Sequence, residues 1–161
     1  MSQRARRLAE SGMLPALQKV VDEVLDVTRA SRVTLRLEEV DFAVVAEAVL
    51  PSVRALTAEP PPTDVRADPV ARRVFDNQEI VVVDRVHTDE VAPNDPRSAY
   101  RIKAEIVAPI VRDGRCVGAL SVHDVTRWRR WTATQRLAVC AATKEVGHLM
   151  TPSTSDPRVR P

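Results

Sequence analysis

IVAPIVRDGRCVGALSVHD, residues 106–124, holds two β-rich runs, Ile106–Val111 and Cys116–His123, on either side of Arg112-Asp113-Gly114-Arg115. Asp-Gly is a strong hairpin signal, because a type I′ turn requires positive φ at both central residues. Pro109 has no N–H, so the first strand must be bulged there or lie at an edge. Gly118, inside the second run, allows another backbone or a ligand to approach closely. Next, Thr132 to Met150 reads as one long helix, since Thr132 and Gln135 stand at capping-box spacing. The tail TPSTSDPRVRP, residues 151–161, has nothing to bury and reads as disordered.

Working towards the N-terminus, residues 80–83 (IVVV) form a short apolar run bounded by Asp84 and read as a central strand. Asp68 as N-cap and Pro69 in the first turn open a short helix through Gln78. Residues 87–94 are polar and irregular, and Asp95 caps a second short helix reaching towards Lys103. Three consecutive prolines, Pro60 to Pro62, place a surface loop at 58–68. Phe42–Leu50 is apolar except for Glu47, which suggests a buried strand, with its alanines leaving a helix open. In Ser31–Glu38, Val33, Leu35 and Leu37 alternate with Thr34, Arg36 and Glu38, the pattern of a half-exposed strand. Ser2–Arg29 reads as one helix. Its apolar stripe (Met13, Leu14, Leu17, Val20, Val21, Val24, Leu25) is broad enough to serve the core on one flank and a partner helix on the other.

At 161 residues the chain fits one domain, expected over 1–150. It divides into the N-terminal helix, 1–29, and the sheet, short helices and closing helix, 30–150. Hydrophobic residues make up 44% and the net charge is only +2, which argues against a general nucleic-acid or membrane partner. No apolar run approaches the roughly 18 residues of a membrane span, and no signal-peptide core is present. Two cysteines, Cys116 and Cys140, are too few for a disulfide scaffold and lack metal-ligand spacing. A reducing cytoplasm is the expected setting. Met1 and the loose tail are those expected of a complete short protein.

The element order suggests an α+β fold, an antiparallel sheet with helices packed on it. The residues of the hairpin and closing helix narrow this. Ala108-Pro109-Ile110, Gly114, Gly118 and Leu120, followed by Trp131-Thr132, resemble the C-terminal half of GAF domains, including those of bacterial sensor proteins. Asp68-Pro69-Val70-Ala71, leading through Phe75 to Ile80–Asp84, is similar to the family's mid-chain helix and strand. The resemblance implies a central antiparallel sheet with N- and C-terminal helices on one face. On the other face it implies short helices and loops over a small-molecule pocket, and it implies dimerisation through the helices.

If Leu120 and Val122 face the terminal helices, Ser121 and His123 face that pocket. Tyr100 and Arg101, on the short helix over it, would offer a stacking ring and a cation to an anionic ligand, with Lys103 nearby. The expected ligand site is therefore Tyr100, Arg101, Ser121 and His123. His87 reads as a surface-loop residue, and His148 suits the C-terminal dipole of the closing helix. No HExxH or CxxC occurs, no two histidines stand at i, i+4, and no metal site is expected. Arg115 beside Cys116 would lower that thiol's pKa, whereas Cys140 reads as core. Trp131 would staple the start of the closing helix, leaving Arg127, Arg129 and Arg130 solvated.

Neither cysteine matches the positions of bilin-attaching relatives. The Phe75–Glu79 segment departs from cyclic-nucleotide-binding ones, because Ile80 follows and no Asn-Lys pair precedes. The expected function is a non-enzymatic regulatory domain that binds a small molecule of unknown identity and signals as a homodimer or to a protein partner. Two alternatives stay open: a pure dimerisation or docking module without ligand, and a cysteine-based free methionine sulfoxide reductase.

Overall fold

The computed structural model describes residues 3–58, 68–87 and 96–151. The expected proline loop apart from its ends, residues 88–94, the Asp95 cap and the tail beyond Thr151 lie outside the described residues. In chain order the elements are α1 (Gln3–Glu10), α2 (Met13–Thr28), β1 (Arg32–Leu37), β2 (Ala43–Val49), α3 (Pro69–Asn77), β3 (Val81–Val83), α4 (Pro96–Ala99), β4 (Ala104–Arg112), β5 (Arg115–Asp124) and α5 (Ala133–Leu149). The strands form one antiparallel sheet in the order β2-β1-β5-β4-β3. Together with the helices this is an α+β fold.

The hairpin forms as its sequence requires. Asp113 and Gly114 have φ of 51° and 73°, both positive, and the turn joins β4 to β5. Pro109 lies within β4, and the ladder to β3 stops at Val107, two residues short of it. A Cβ on Gly118 would run into the carbonyl oxygen of Arg36 and the side chain of Leu37. The close approach is therefore one of backbone, at the bulge between Leu35 and Arg36 in the β1–β2 pairing. Thr132 and Gln135 form the full capping box at the start of α5.

Several expectations need correction. The N-terminal segment is two helices, because Gly12, at φ 72°, interrupts it. Its broad stripe buries Leu17, Val20, Val21 and Val24 against the sheet and against α5, so this chain's own closing helix fills the second flank. β3 and β2 are the two edge strands of the sheet, rather than a central and a buried one. β1, read as half exposed, is almost wholly buried, since both its faces are covered.

Strand side chains alternate between faces, and the register fixes which residues share one. Val33, Leu35, Ile106, Ala108, Leu120 and Val122 join the α2 and α5 residues in the main core. Burying each of the larger aliphatic side chains contributes about 1.5–3 kcal/mol. On the opposite face, Arg32, Thr34 and Arg36 of β1 stand across from His123, Ser121 and Ala119 of β5. Glu105 and Val107 of β4 pair with His123 and Ser121 from the other side.

Candidate functional site

That second face floors a cavity of about 60 Å³. β1 supplies Thr34 and Arg36, and β5 supplies Ala119, Ser121 and His123. α3 covers it with Val70, Ala71 and Phe75, while Arg97 and Tyr100 close it from α4 and the turn that follows. α3 is held in place by its cap, in which the Asp68 carboxylate accepts from Val70 N at 2.9 Å. Val70 and Val74 then pack on Val81, Val107 and Ala119 in a small separate core. Phe75 lies against Phe42 with ring centroids 4.7 Å apart.

His123 is 5% exposed and sits between two buried charges, Arg32 on β1 and Glu105 on β4. Arg32 Nε and Nη2 both lie 3.2 Å from His123 Nδ1. A guanidinium only donates, so Nδ1 accepts and the ring proton sits on Nε2. Nε2 is 3.8 Å from the Glu105 carboxylate, too long for a hydrogen bond. Burial, reinforced by the positive charges of Arg32 and Arg36, holds the His123 pKa well below its ordinary value. The imidazole is therefore neutral at physiological pH. Arg32 also lies over the Tyr100 ring, 5.7 Å from its centroid, which links Tyr100 to the histidine.

Arg36 differs from Arg32. Its guanidinium donates once, from Nη1 to the Phe42 carbonyl at 2.9 Å, and forms no ion pair with a described residue. Burial lowers its pKa, and the nearby Tyr100 and Glu47 only partly offset this. The Glu47 carboxylate is engaged elsewhere, accepting from Leu56 N at 2.7 Å and from the amide and hydroxyl of Thr57.

Of the four residues expected to meet a ligand, Tyr100, Ser121 and His123 line this cavity together. Arg101 does not. With φ of 55° it is exposed and lines a separate surface cleft with Arg32, Arg54 and Thr126, on the other side of Tyr100. Lys103 is exposed as well. Sequence reasoning missed Arg32, Arg36, Arg97 and Glu105. The signal for the two β1 arginines lay in the pairing of β1 with β5, which puts them on the parity of Ser121 and His123.

The cysteines stand apart from the cavity. Cys116 is buried near the hairpin turn, its thiol donating to Gly118 O at 3.2 Å. Burial pushes that thiol up, contrary to the expected lowering, and Arg115 turns instead to Glu38 at 2.7 Å. Cys140 is half-buried on α5. His87 is exposed and tilts against Trp128 at 5.6 Å, while His148 is exposed in the last turn of α5.

Trp131 is buried in the core, donating from Nε1 to Val83 O. Arg129, expected to be solvated, has a side chain only 9% exposed that lies over the Trp131 ring and donates to Thr28 O at 2.7 Å and Arg29 O at 3.0 Å. It serves the last carbonyls of α2, where a cation is favoured. No group of three or more His, Cys, Asp or Glu suited to a metal ion occurs among the described residues. No helix there is long and apolar enough to cross a membrane.

A five-stranded antiparallel sheet with terminal helices on one face and a capped short helix over a cavity on the other is the α+β architecture that the sequence resemblance implies. The GAF domain family model matches residues 13–148, and the chain belongs to the GAF domain family. Its fold is similar to that of GAF3 from Slr1393 of Synechocystis sp., solved in its photoproduct state. That match has a TM-score of 0.71 and 18% identity, and covers 84% of this chain and 91% of that one. It is also similar to the blue-light-absorbing form of the Thermosynechococcus elongatus PixJ GAF domain (TM-score 0.66, 15% identity, 88% and 89% covered). A third likeness is to the GAF domain of an Acinetobacter phosphoenolpyruvate-protein phosphotransferase (TM-score 0.64, 14% identity, 92% and 93% covered). Among curated proteins none matches the chain by sequence.

Proposed function

We infer that this GAF domain is a non-enzymatic regulatory module that holds a small molecule non-covalently between its sheet and α3, and that two copies associate through the α2–α5 face. The observation that carries the reading is the two-sidedness of β5. Ser121 and His123 line the cavity, while Leu120 and Val122, their neighbours in the strand, pack into the core with α2 and α5. A ligand that shifts β5 thereby acts on the helices with no further relay. The position of both cysteines outside the cavity, and the buried thiol of Cys116, favour a non-covalent, non-catalytic site over the reductase and over a thioether-linked chromophore.

A second reading, the docking module without ligand, draws on the cavity's size. About 60 Å³ is well below the roughly 300–1,000 Å³ typical of drug-sized ligands. Native mass spectrometry of the chain purified from a bacterial lysate, joined to a thermal-shift screen of small metabolites, separates the two. Binding that Ala119→Leu abolishes by filling the cavity is the expected result. If no adduct appears, and no compound raises the melting temperature of the unsubstituted chain above that of Ala119→Leu, the docking module is the better description.

A further inference from the structure

We propose that the cavity's ligand is a short-chain monocarboxylate, its carboxylate held by Arg36 with the Thr34 and Ser121 hydroxyls, and its alkyl end against Val70, Val107 and Ala119. The proposal rests on the cavity being a ligand site and names the chemistry of that ligand.

The first support is the balance of donors and acceptors. Thr34 and Ser121 are cross-strand partners on β1 and β5, and both face the cavity. Neither hydroxyl makes a hydrogen bond to a described residue. Arg36 lies one step further along the same face of β1 and spends one of its five N–H donors, on Phe42. Two hydroxyls and a guanidinium thus converge on one space with most of their donors uncommitted. The group that meets such a set is an acceptor with several lone pairs, and a carboxylate accepts from a guanidinium in a fork–fork arrangement.

Charge points the same way. Arg32 and Glu105 flank the neutral His123 from opposite strands, so their charges offset each other at that end of the cavity. Asp68 caps α3, and Glu47 holds the turn at Leu56–Ala58. Arg36, near the Ala119 end, has no ion-pair partner among the described residues. Burial without a counter-charge is unfavourable for a guanidinium, and a bound anion relieves it.

Size and wall chemistry set the rest of the molecule. On this measure a water occupies about 10–15 Å³, so about 60 Å³ has room for roughly four to six heavy atoms, the size of acetate to butyrate. The α3 side of the cavity is lined by valine, alanine and phenylalanine side chains, which favour an alkyl end over a second charge.

Isothermal titration of the full chain with sodium acetate, propionate and butyrate, beside the matching amides and sodium nitrate and phosphate, tests this. At least one carboxylate should bind roughly tenfold or more tightly than its amide, the loss expected when a charged hydrogen-bond partner is removed. Arg36→Met should erase that preference, and Arg36→Lys should keep part of it. If Arg36→Met fails to fold by circular dichroism, the carboxylate–amide comparison on the unsubstituted chain decides alone. Equal binding of amide and carboxylate, or equal or tighter binding of nitrate or phosphate, overturns the proposal while leaving the cavity a ligand site. If no carboxylate binds but a neutral metabolite does, and Ala119→Leu blocks it, the carboxylate is likewise excluded and the cavity reading stands. If nothing binds, both fail.

Discussion

Single residues on β5 carry opposite electrostatic duties, and their pH responses should separate. His123 is buried and neutral, next to the positive charges of Arg32 and Arg36, with its pKa held well below the ordinary value. In the unfolded chain the same imidazole takes up a proton below about pH 6.5. The folded state therefore loses stability as pH falls through that region, by up to about 1.4 kcal/mol per pH unit. Urea unfolding between pH 8 and 5 should show this decline in the unsubstituted chain. It should be largely absent in His123→Asn, whose side-chain oxygen can still accept from Arg32. A decline of equal slope in the variant would assign it to other groups. Asp124, the next residue, behaves differently. Burial would raise its pKa, but hydrogen bonds from the amide and hydroxyl of Thr126, the amide of Arg127 and the Arg129 guanidinium outweigh that and lower it. Its contribution is complete above about pH 4 and is lost as pH falls through the lower folded value. Asp124→Asn should be destabilised by about 2 kcal/mol at neutral pH, the scale of a charge-assisted hydrogen bond. The difference from the unsubstituted chain should shrink in acid, below the window in which His123 acts.

At the scale of elements, α5 is the one whose making was most fully written in its residues. Thr132 Oγ1 accepts from Gln135 N at 3.1 Å, and Gln135 Oε1 accepts from Thr132 N at 2.9 Å, as their spacing predicts. Thr132→Ala should cost about 1 kcal/mol and lower the melting temperature by a few degrees in a calorimetric scan. A shift within error would mean that Gln135, which also donates to Thr28 O at 3.0 Å, holds the helix start without the cap. Local chemistry of this kind was legible: the Asp113-Gly114 turn, the Asp68 cap and the parity of Ser121 and His123 all depend on neighbours in sequence. What was not legible depends on partners far along the chain. β1 shows the reason. Its Thr34/Arg36 parity is polar and reads as solvent-facing, yet pairing with β5 carries it under α3, into the cavity. Arg101 failed for a related reason, since its positive φ turns it out of the turn that Tyr100 closes. The burial of the Arg129 side chain likewise follows from a tertiary contact, with the end of α2, about a hundred residues away in sequence.

For the whole molecule the question is what the helical face does once the sheet is covered. The apolar stripe of α2 gives no direct sign of a partner, because Leu17 is fully buried and Val24 is 4% exposed, both within the chain's own core. Placing a charge at either position should therefore unfold the domain rather than dissociate a dimer. The groups free to meet a second copy are others: Leu137 on α5 is 69% exposed and Val27 on α2 is 49% exposed. Both lie near the end of the helix pair where Gln135 and Arg129 donate to Thr28 O. An isolated exposed aliphatic is ordinary on a surface, so the association proposed above needs a direct measurement. Light scattering of the unsubstituted chain should give the mass of a dimer. Leu137→Glu should give a monomer whose circular dichroism and melting temperature are nearly unchanged, as surface substitutions usually leave stability within about 0.5 kcal/mol. Leu17→Glu should lose its cooperative thermal transition altogether, since it buries an unpaired charge. A folded Leu137→Glu that remains dimeric would remove the α2–α5 face from the reading, and a monomeric unsubstituted chain would confine any signal to a change within the single domain.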